Sequence, residues 1–411
     1  MKTILYQIAL GLIFLAACRK NDPVPIPPDP GPEQKLEYVW SSYLPSDSLV
    51  LYTSIDPQIN NGAVLFSTTN GSSEIVKSFN KLTGELNWEW SDNNYQRNYL
   101  NNENALLVNN VLFLGAKHTI YAINAANGST RWTYTWPAEV YGDIYLYTDG
   151  QYLYHRIMVE HPKLPAYDAY IMRTPVDATA PQWDTVFIDP ADTHSKRFKS
   201  LNFFTRTDGH EMMVGVVDAA GIEDGVSGKT SLFLYDLTAE NLVYYKDNAM
   251  PNGAFLNPLQ LDQDKVYVLG GWAVHAFDLQ TGEEVWTYQH ATPGDPNRSF
   301  ASGDLLLYKG NIVAKNRDGI MVMLDATNGK KVWSLSETGS NLGGRLRIFK
   351  DYAYFTSSNN LMVVNLSLGE LLINERPPSG NWAEGTVAID ETNNLLFYND
   401  RVSGFCAKIP E

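Results

Sequence analysis

Residues 276–286 read Ala-Phe-Asp-Leu-Gln-Thr-Gly-Glu-Glu-Val-Trp, and residues 323–333 read Met-Leu-Asp-Ala-Thr-Asn-Gly-Lys-Lys-Val-Trp. The phrase stands again at 122–132 as Ala-Ile-Asn-Ala-Ala-Asn-Gly-Ser-Thr-Arg-Trp, and at 79–88 as Phe-Asn-Lys-Leu-Thr-Gly-Glu-Leu-Asn-Trp. In every copy a Gly follows the Asp or Asn by four positions and a Trp follows it by eight. The apolar residues before the Asp or Asn make one strand. The Thr-Gly or Asn-Gly pair supplies the backbone freedom of a tight hairpin, and the residues up to Trp make the next strand. A phrase repeated at fixed internal spacing decides the architecture before any single residue does.

Two further strands precede each phrase. In 304–334, Asp304–Tyr308 and Ile312–Lys315 flank the turn Lys309-Gly310-Asn311, and the turn at 316–319 leads into the phrase itself. Four antiparallel strands per repeat mark a β-propeller blade, whereas a β-sandwich does not repeat one phrase at one spacing. Degraded copies lie at Asn365/Gly369/Ile373 and Asp236/Glu240/Tyr244, and the segment Asp177–Trp183 reads as a copy with a shortened turn. The last strands of successive blades are therefore marked by Trp88, Trp132, Trp183, Tyr244, Trp286, Trp333 and Ile373, spaced at about 48 residues, enough for four strands of five to six residues. Glu37–Ser41 reads as a fourth strand with nothing before it, and Thr386–Asp390, Leu395–Asn399 and Phe405–Ile409 as three strands with no fourth. The expected fold is all-β: an eight-bladed propeller of four-stranded antiparallel blades over 36–411, closed by the N-terminal strand completing the last blade.

The phrase resembles the PQQ-like propeller repeat, shared by quinoprotein alcohol dehydrogenases and by the BamB-type lipoprotein of the outer-membrane β-barrel assembly machine. The resemblance covers roughly residues 36–410 and is strong in four copies. It implies that each Trp stacks on the peptide beside a Gly of the neighbouring blade, which makes Trp88, Trp132, Trp286 and Trp333, with Gly84, Gly128, Gly282 and Gly329, structural docking residues. A large apolar ring beside bare backbone is a packing device on physical grounds as well. Looser docking is expected near blades four and seven, whose copies lack the Trp or the Gly.

Residues 1–17 read as a lipoprotein signal peptide: Lys2 gives a positive start, Ile4–Leu15 an apolar core, and Leu15-Ala16-Ala17-Cys18 looks like a lipobox in which Cys18 is lipidated. The acyl chains of such a lipoprotein suffice for stable anchoring. Residues 18–35 form a tether with Pro at 23, 25, 27, 28, 30 and 32, extended at about 3.1 Å per residue and reaching roughly 30 Å. Arg19 after the Cys favours the outer membrane by the sorting rule of well-studied envelopes; periplasmic and surface-facing placements both stay open. The net charge of −15 and pI near 4.9 argue against nucleic acid and anionic lipid as direct partners. The other cysteine, Cys406, lies in an apolar strand and reads as a buried inert thiol.

No motif of chemistry stands out. The quinoprotein dehydrogenases use PQQ, Ca²⁺, a catalytic Asp and commonly an adjacent Cys pair; this chain has no Cys-Cys pair, so neither PQQ nor Ca²⁺ is expected. Asp278 and Asp325 read as residues capping their turns. His155, His161, His194 and His210, with Asp189 and Asp192, show no ligand spacing, and Gly228-Lys229-Thr230 lacks the earlier Gly of a phosphate loop. What remains is the end of the propeller where strand four leads to the next blade and strand two leads to strand three. Its loops carry Trp136, His194 and Arg197 together with the candidate binding face Tyr95, Arg97, Trp272, Arg298, Arg317, Arg345 and Trp382, residue types that dominate interfaces. The expected function is a non-catalytic, membrane-tethered scaffold that binds a protein in the bacterial cell envelope. The alternatives are a surface lipoprotein binding glycan or peptide, and a PQQ-dependent quinoprotein-like enzyme.

Overall fold

Short apolar runs punctuated by Asn, Asp and Gly fold as antiparallel hairpins. The computed structural model describes residues 35–44, 55–69, 74–93, 105–116, 118–137, 140–141, 145–160, 167–189, 195–220, 230–250, 259–291, 300, 304–316, 318–340, 342 and 344–410. These form eight sheets and contain no helix. Blade 1 holds Gln58–Asn60, Ala63–Thr69, Glu74–Asn80 and Leu86–Asp92, adjacent in chain order. Blades 2 to 7 span 105–135, 140–188, 195–250, 260–289, 304–335 and 347–375. In blade 3 the first strand is split, Val140–Tyr141 and Leu146–Thr148 both pairing with Tyr152–Glu160. Blade 8 is Glu384–Asp390, Leu395–Asn399 and Ser403–Lys408, with Tyr38–Tyr43 as its outer strand.

The apolar core is divided into eight clusters, one at each joint between neighbouring blades, including the joint of blade 8 with blade 1. This is an eight-bladed β-propeller ring. A middle strand lies between two other blades and is buried on both faces, as Val111–Gly115 is throughout, so it reads as a continuous apolar run. An outer strand has one wet face and alternates, as Tyr38–Tyr43 does.

Ring closure is a strand pairing with side-chain fastenings to both neighbours. Tyr38 lies opposite Ala407 and Tyr43 opposite Ser403, so the strand runs two residues further than Glu37–Ser41. Trp40 donates from Nε1 to the Lys81 carbonyl of blade 1 at 3.1 Å. On the other side Glu375 of blade 7 accepts from the Leu36 amide at 3.0 Å and from the Tyr38 hydroxyl at 3.1 Å.

The repeated phrase has a physical reason at each position. The Asp or Asn side chain caps its own turn: Asp278 Oδ1 accepts from the amides of Gln280 at 3.0 Å and Thr281 at 2.8 Å, and Asn80 Oδ1 does the same for Leu82 and Thr83. The Gly four residues on adopts positive φ, +74° at Gly128 and +69° at Gly329. It is also covered by the ring of the preceding blade. A Cβ on Gly128 would stand 2.6 Å from Cε3 of Trp88, and one on Gly329 2.5 Å from Cε3 of Trp286. The same indole then donates to the carbonyl one residue past the Asp or Asn. Trp88 reaches Ala125 at 3.2 Å, Trp132 reaches Ala178 at 3.0 Å, Trp286 reaches Ala326 at 3.0 Å and Trp333 reaches Leu366 at 3.0 Å.

At the joints whose marker is not one of the four repeat Trp residues, other side chains take the place. Gly84 receives Trp40 of the N-terminal strand, and Gly282 receives Tyr244, whose hydroxyl donates to the Leu279 carbonyl at 3.3 Å. Tyrosine thus keeps the contact geometry of the missing Trp at the blade 4–5 joint. At the blade 7–8 joint Ile373 packs in one cluster with Leu36. Trp183 is not the outer-strand residue of blade 3. That strand is Asp184–Ile188, its third residue is Val186, and Trp183 instead joins the cluster between blades 2 and 3. The copy fails there because six positions, not eight, separate Asp177 from Trp183.

Candidate functional site

Each blade's last strand crosses over one end of the ring to the next blade's first strand, so function at that end depends on the crossings. Of the candidate binding face, Tyr95, Arg97, Arg298 and Arg317 lie outside the described residues, as does His194. Trp272, Arg345 and Trp382 are described. Trp272 is half-buried, and its carbonyl accepts from the His290 amide at 2.9 Å. Trp136 is core: it is 7% exposed, packed 5.2 Å from the Trp183 ring and 5.4 Å from the His155 ring.

Trp382, on the crossing from blade 7 to blade 8, is exposed at 41%. The Arg401 guanidinium lies over its ring at 4.2 Å, and Arg401 Nε donates to Glu384 Oε1 at 2.7 Å. Arg376, exposed, donates from Nε to the carbonyl of Asn381, the residue before Trp382, at 3.4 Å. Two residues past Glu384, Thr386 Oγ1 accepts from the Arg345 amide at 2.6 Å, and the Thr386 amide donates to Asp56 of blade 1 at 2.7 Å. Arg345 is half-buried. Burial and the neighbouring Arg347 pull its guanidinium down to about 10, against the attraction of Asp56. Arg376 and Arg401 obey the same loop rule that selects Arg345; a scan of every strand two–three loop and every crossing would have found them.

Beneath the crossing from blade 6 to blade 7 lies a buried acid and a buried base. Asp304 and Lys315 are direct cross-strand partners in blade 6, and both are inaccessible to solvent. Asp304 accepts from the Leu346 amide at 2.8 Å and its own neighbour Leu305 at 2.9 Å. Lys315 donates to the Gly339 carbonyl at 2.8 Å and the Asn316 carbonyl at 3.1 Å. The pair fastens both ends of one crossing. Burial pushes the Asp304 carboxyl up to about 7 against its amide bonds, and pulls the Lys315 ammonium down to about 7 against the attraction of Asp318.

Among the described residues no three His, Cys, Asp or Glu are grouped to hold a metal ion. Asp278 and Asp325 cap their turns, and Asp304 is closed off beneath its crossing. His155 is 2% exposed and sits 3.3 Å from the Tyr145 carbonyl, with burial lowering its pKa to about 3. His210 lies 2.7 Å from Asp236 on the opposite end of the ring, between the turns of blade 4. Cys406 is buried, which pushes its thiol up to about 12.

The family described as outer membrane protein assembly factor BamB matches residues 37–151 and 232–404, more than half of the chain, and the chain belongs to that family. A stretch of 190 residues is 27% identical to the quinohemoprotein alcohol dehydrogenase of Comamonas testosteroni, covering 42% of this chain and 21% of that protein. The chain thus spans about a fifth of that relative's length. BamB from Moraxella catarrhalis superposes with a TM-score of 0.56 at 13% identity, over 92% of this chain and 99% of that one. A europium-containing methanol dehydrogenase superposes at 0.63 with 8% identity, over 90% and 85% of the two chains. At such identities the structural likeness speaks for the fold alone.

Proposed function

We propose that this chain is a non-catalytic scaffold of the bacterial cell envelope, anchored to the outer membrane through a lipid on Cys18, and that it docks a protein partner through the loop end of its ring. The observation that carries this reading is membership of the family described as an outer membrane assembly factor, over both halves of the ring. The cluster of Trp382 with Arg376 and Arg401 supports the choice of end, because exposed Trp and Arg supply most interface energy. Photo-crosslinking from position 382 in intact envelopes, followed by mass spectrometry, tests it. A protein joined reproducibly from 382, and not from a position in the opposite turns such as 327, is the expected result. Crosslinks only from the turns would overturn the choice of end.

The second reading, a quinoprotein-type enzyme, draws on the aligned stretch of alcohol dehydrogenase. Titration with PQQ and Ca²⁺ followed by absorbance separates the two: the scaffold reading expects no saturable spectral change.

A further inference from the structure

We infer that the joint between blades 7 and 8 carries a radial stripe, Arg376–Trp382–Arg401–Arg347, that docks an acidic segment of a protein partner, carboxylates on Arg376 and Arg347 and an apolar side chain on the open face of Trp382. The inference rests on the scaffold reading and names the chemistry of the partner.

The members of the stripe are tied together through backbone and side-chain bonds. Arg376 is bonded to the residue before Trp382, Arg401 is stacked on Trp382, and Glu384 holds Arg401 while starting the strand whose Thr386 receives the Arg345 amide. Arg347 opens the innermost strand of blade 7, Arg347–Phe349, so the stripe runs from the outer strand to the channel mouth. The chain as a whole is acidic, with 46 Asp and Glu against 31 Lys and Arg. Four cationic or aromatic groups, Arg376, Trp382, Arg401 and Arg347, at one joint therefore run against the composition.

The described carboxylates beside the stripe are occupied or turned inward. Asp400 is buried and accepts from the Val402 and Ser403 amides at 2.7 and 2.6 Å, and Asp56 accepts from Thr386. Asp304 is buried under the crossing, where Arg345 Nη1 stands 3.7 Å from its Oδ1, so Arg345 is turned inward and is not part of the docking surface, and Glu384 is paired with Arg401. Arg347 and Arg376 are both exposed, and among the described residues neither forms an ion pair, the buried Asp304 carboxylate acting on Arg347 only through its field. The exposed acids Asp318 and Glu337 belong to blade 6 and its crossing. One face of Trp382 is taken by Arg401, which fixes the ring without covering its other face. The exposed guanidinium groups of Arg376 and Arg347 beside a fixed aromatic suit carboxylates flanking an apolar side chain. The net charge of −15 disfavours approach to an anionic bilayer, whereas a short acidic segment meets only the stripe.

The test uses the full chain in detergent and two fluorescent peptides, one alternating Glu and Leu, the other with Gln in place of Glu, read by anisotropy. The Glu peptide is expected to bind about tenfold or more tightly than the Gln peptide, and to weaken as salt rises. Arg376→Ala and Arg347→Ala should each weaken the Glu peptide several-fold with unchanged melting, since neither is packed, while Trp382→Ala should weaken both peptides. Equal binding of the two peptides, or indifference to Arg376→Ala and Arg347→Ala, would overturn the stripe. Phosphatidylglycerol vesicles form the third arm: if they bind in a way Arg376→Glu abolishes while the Glu peptide does not bind, the stripe reads lipid phosphate and the peptide proposal is wrong. The scaffold reading fails separately, if envelope crosslinking finds no protein at any surface. If crosslinks form and survive Arg376→Glu and Trp382→Ala, the scaffold stands and the stripe falls.

Discussion

The joint between blades 5 and 6 allows the docking device to be measured by a three-way comparison. Gly329 and Gly310 lie in the same blade at nearly the same φ, +69° and +74°. A Cβ on Gly310 would meet nothing within 4 Å, whereas one on Gly329 would stand 2.5 Å from the Trp286 ring. Gly310→Ala therefore reports backbone conformation alone, about 1–2 kcal/mol for an L-residue held left-handed. Gly329→Ala adds the displacement of a packed ring, about 1–3 kcal/mol for overpacking, and should cost about 2–5 kcal/mol in all. Trp286→Ala removes a ring that is 9% exposed together with its bond to the Ala326 carbonyl, and should cost about 3–5 kcal/mol. The decisive variant is the double one. With the ring gone, Gly329→Ala keeps only its backbone cost and should fall to about 1–2 kcal/mol, a coupling of about 1–3 kcal/mol. Urea unfolding followed by circular dichroism gives each value, compared at a common slope. If Gly329→Ala costs the same with and without Trp286, the ring does not hold the glycine's space, and the account of the repeat is wrong.

Three further outcomes follow from the same structure. Asp304, raised above its ordinary 3.8, gives a stability contribution present at acid pH and lost as pH rises through about 7, and Lys315, lowered from 10.5, gives one present above 10.5 and lost as pH falls through about 7. Asp304→Asn should therefore flatten the stability profile between about pH 4 and 7, and Lys315→Met should flatten it above about 7, in melts taken across the range; unchanged slopes in both variants would contradict their burial as ionisable groups. Deleting residues 36–46 should destabilise or aggregate the protein, because it unpairs Ser403–Lys408 and removes Trp40 from Gly84, while deleting 19–33 should leave melting unchanged; equal melting of the two truncations would refute closure by the N-terminal strand. Cys18→Ser should release the protein from the membrane fraction, and mass spectrometry finding an unmodified Cys18 in the mature wild-type chain would remove the anchor from the proposal.

The ring was legible because its devices are local. Asp or Asn caps its own turn, Gly follows at four positions, Trp at eight, and each copy announces itself without knowledge of the others. Departures arise where tertiary contact replaces a local device. Tyr244 reaches the same carbonyl as a Trp, which no spacing rule distinguishes from an ordinary tyrosine. Trp136 stands on a crossing, yet folds back against Trp183 and His155, so its place in the chain misstates its exposure. Arg345 likewise falls on a crossing but is half-buried. Asp304 and Lys315 are eleven positions apart, and only the strand register makes them partners.

What the sequence does encode, beyond each turn, is the identity of the neighbouring blade. Five joints place an aromatic ring on a Gly: Trp40 on Gly84, Trp88 on Gly128, Tyr244 on Gly282, Trp286 on Gly329 and Trp333 on Gly369. In blade 3 the third residue of the outer strand is Val186, and the corresponding position in blade 4 is Glu240, which takes φ +53° without being Gly. In blade 7 the outer strand offers Ile373, its fourth residue, which packs in the same cluster as Leu36. A turn of this kind therefore tolerates a side chain when no ring lies over it. The glycine is set chiefly by the preceding blade rather than by its own backbone. Trp132 is the exception that defines the limit, since it meets the altered turn of blade 3 and keeps only the carbonyl of Ala178. At every joint but that one, ring and glycine are kept or lost together, as expected if the space between them is one shared volume.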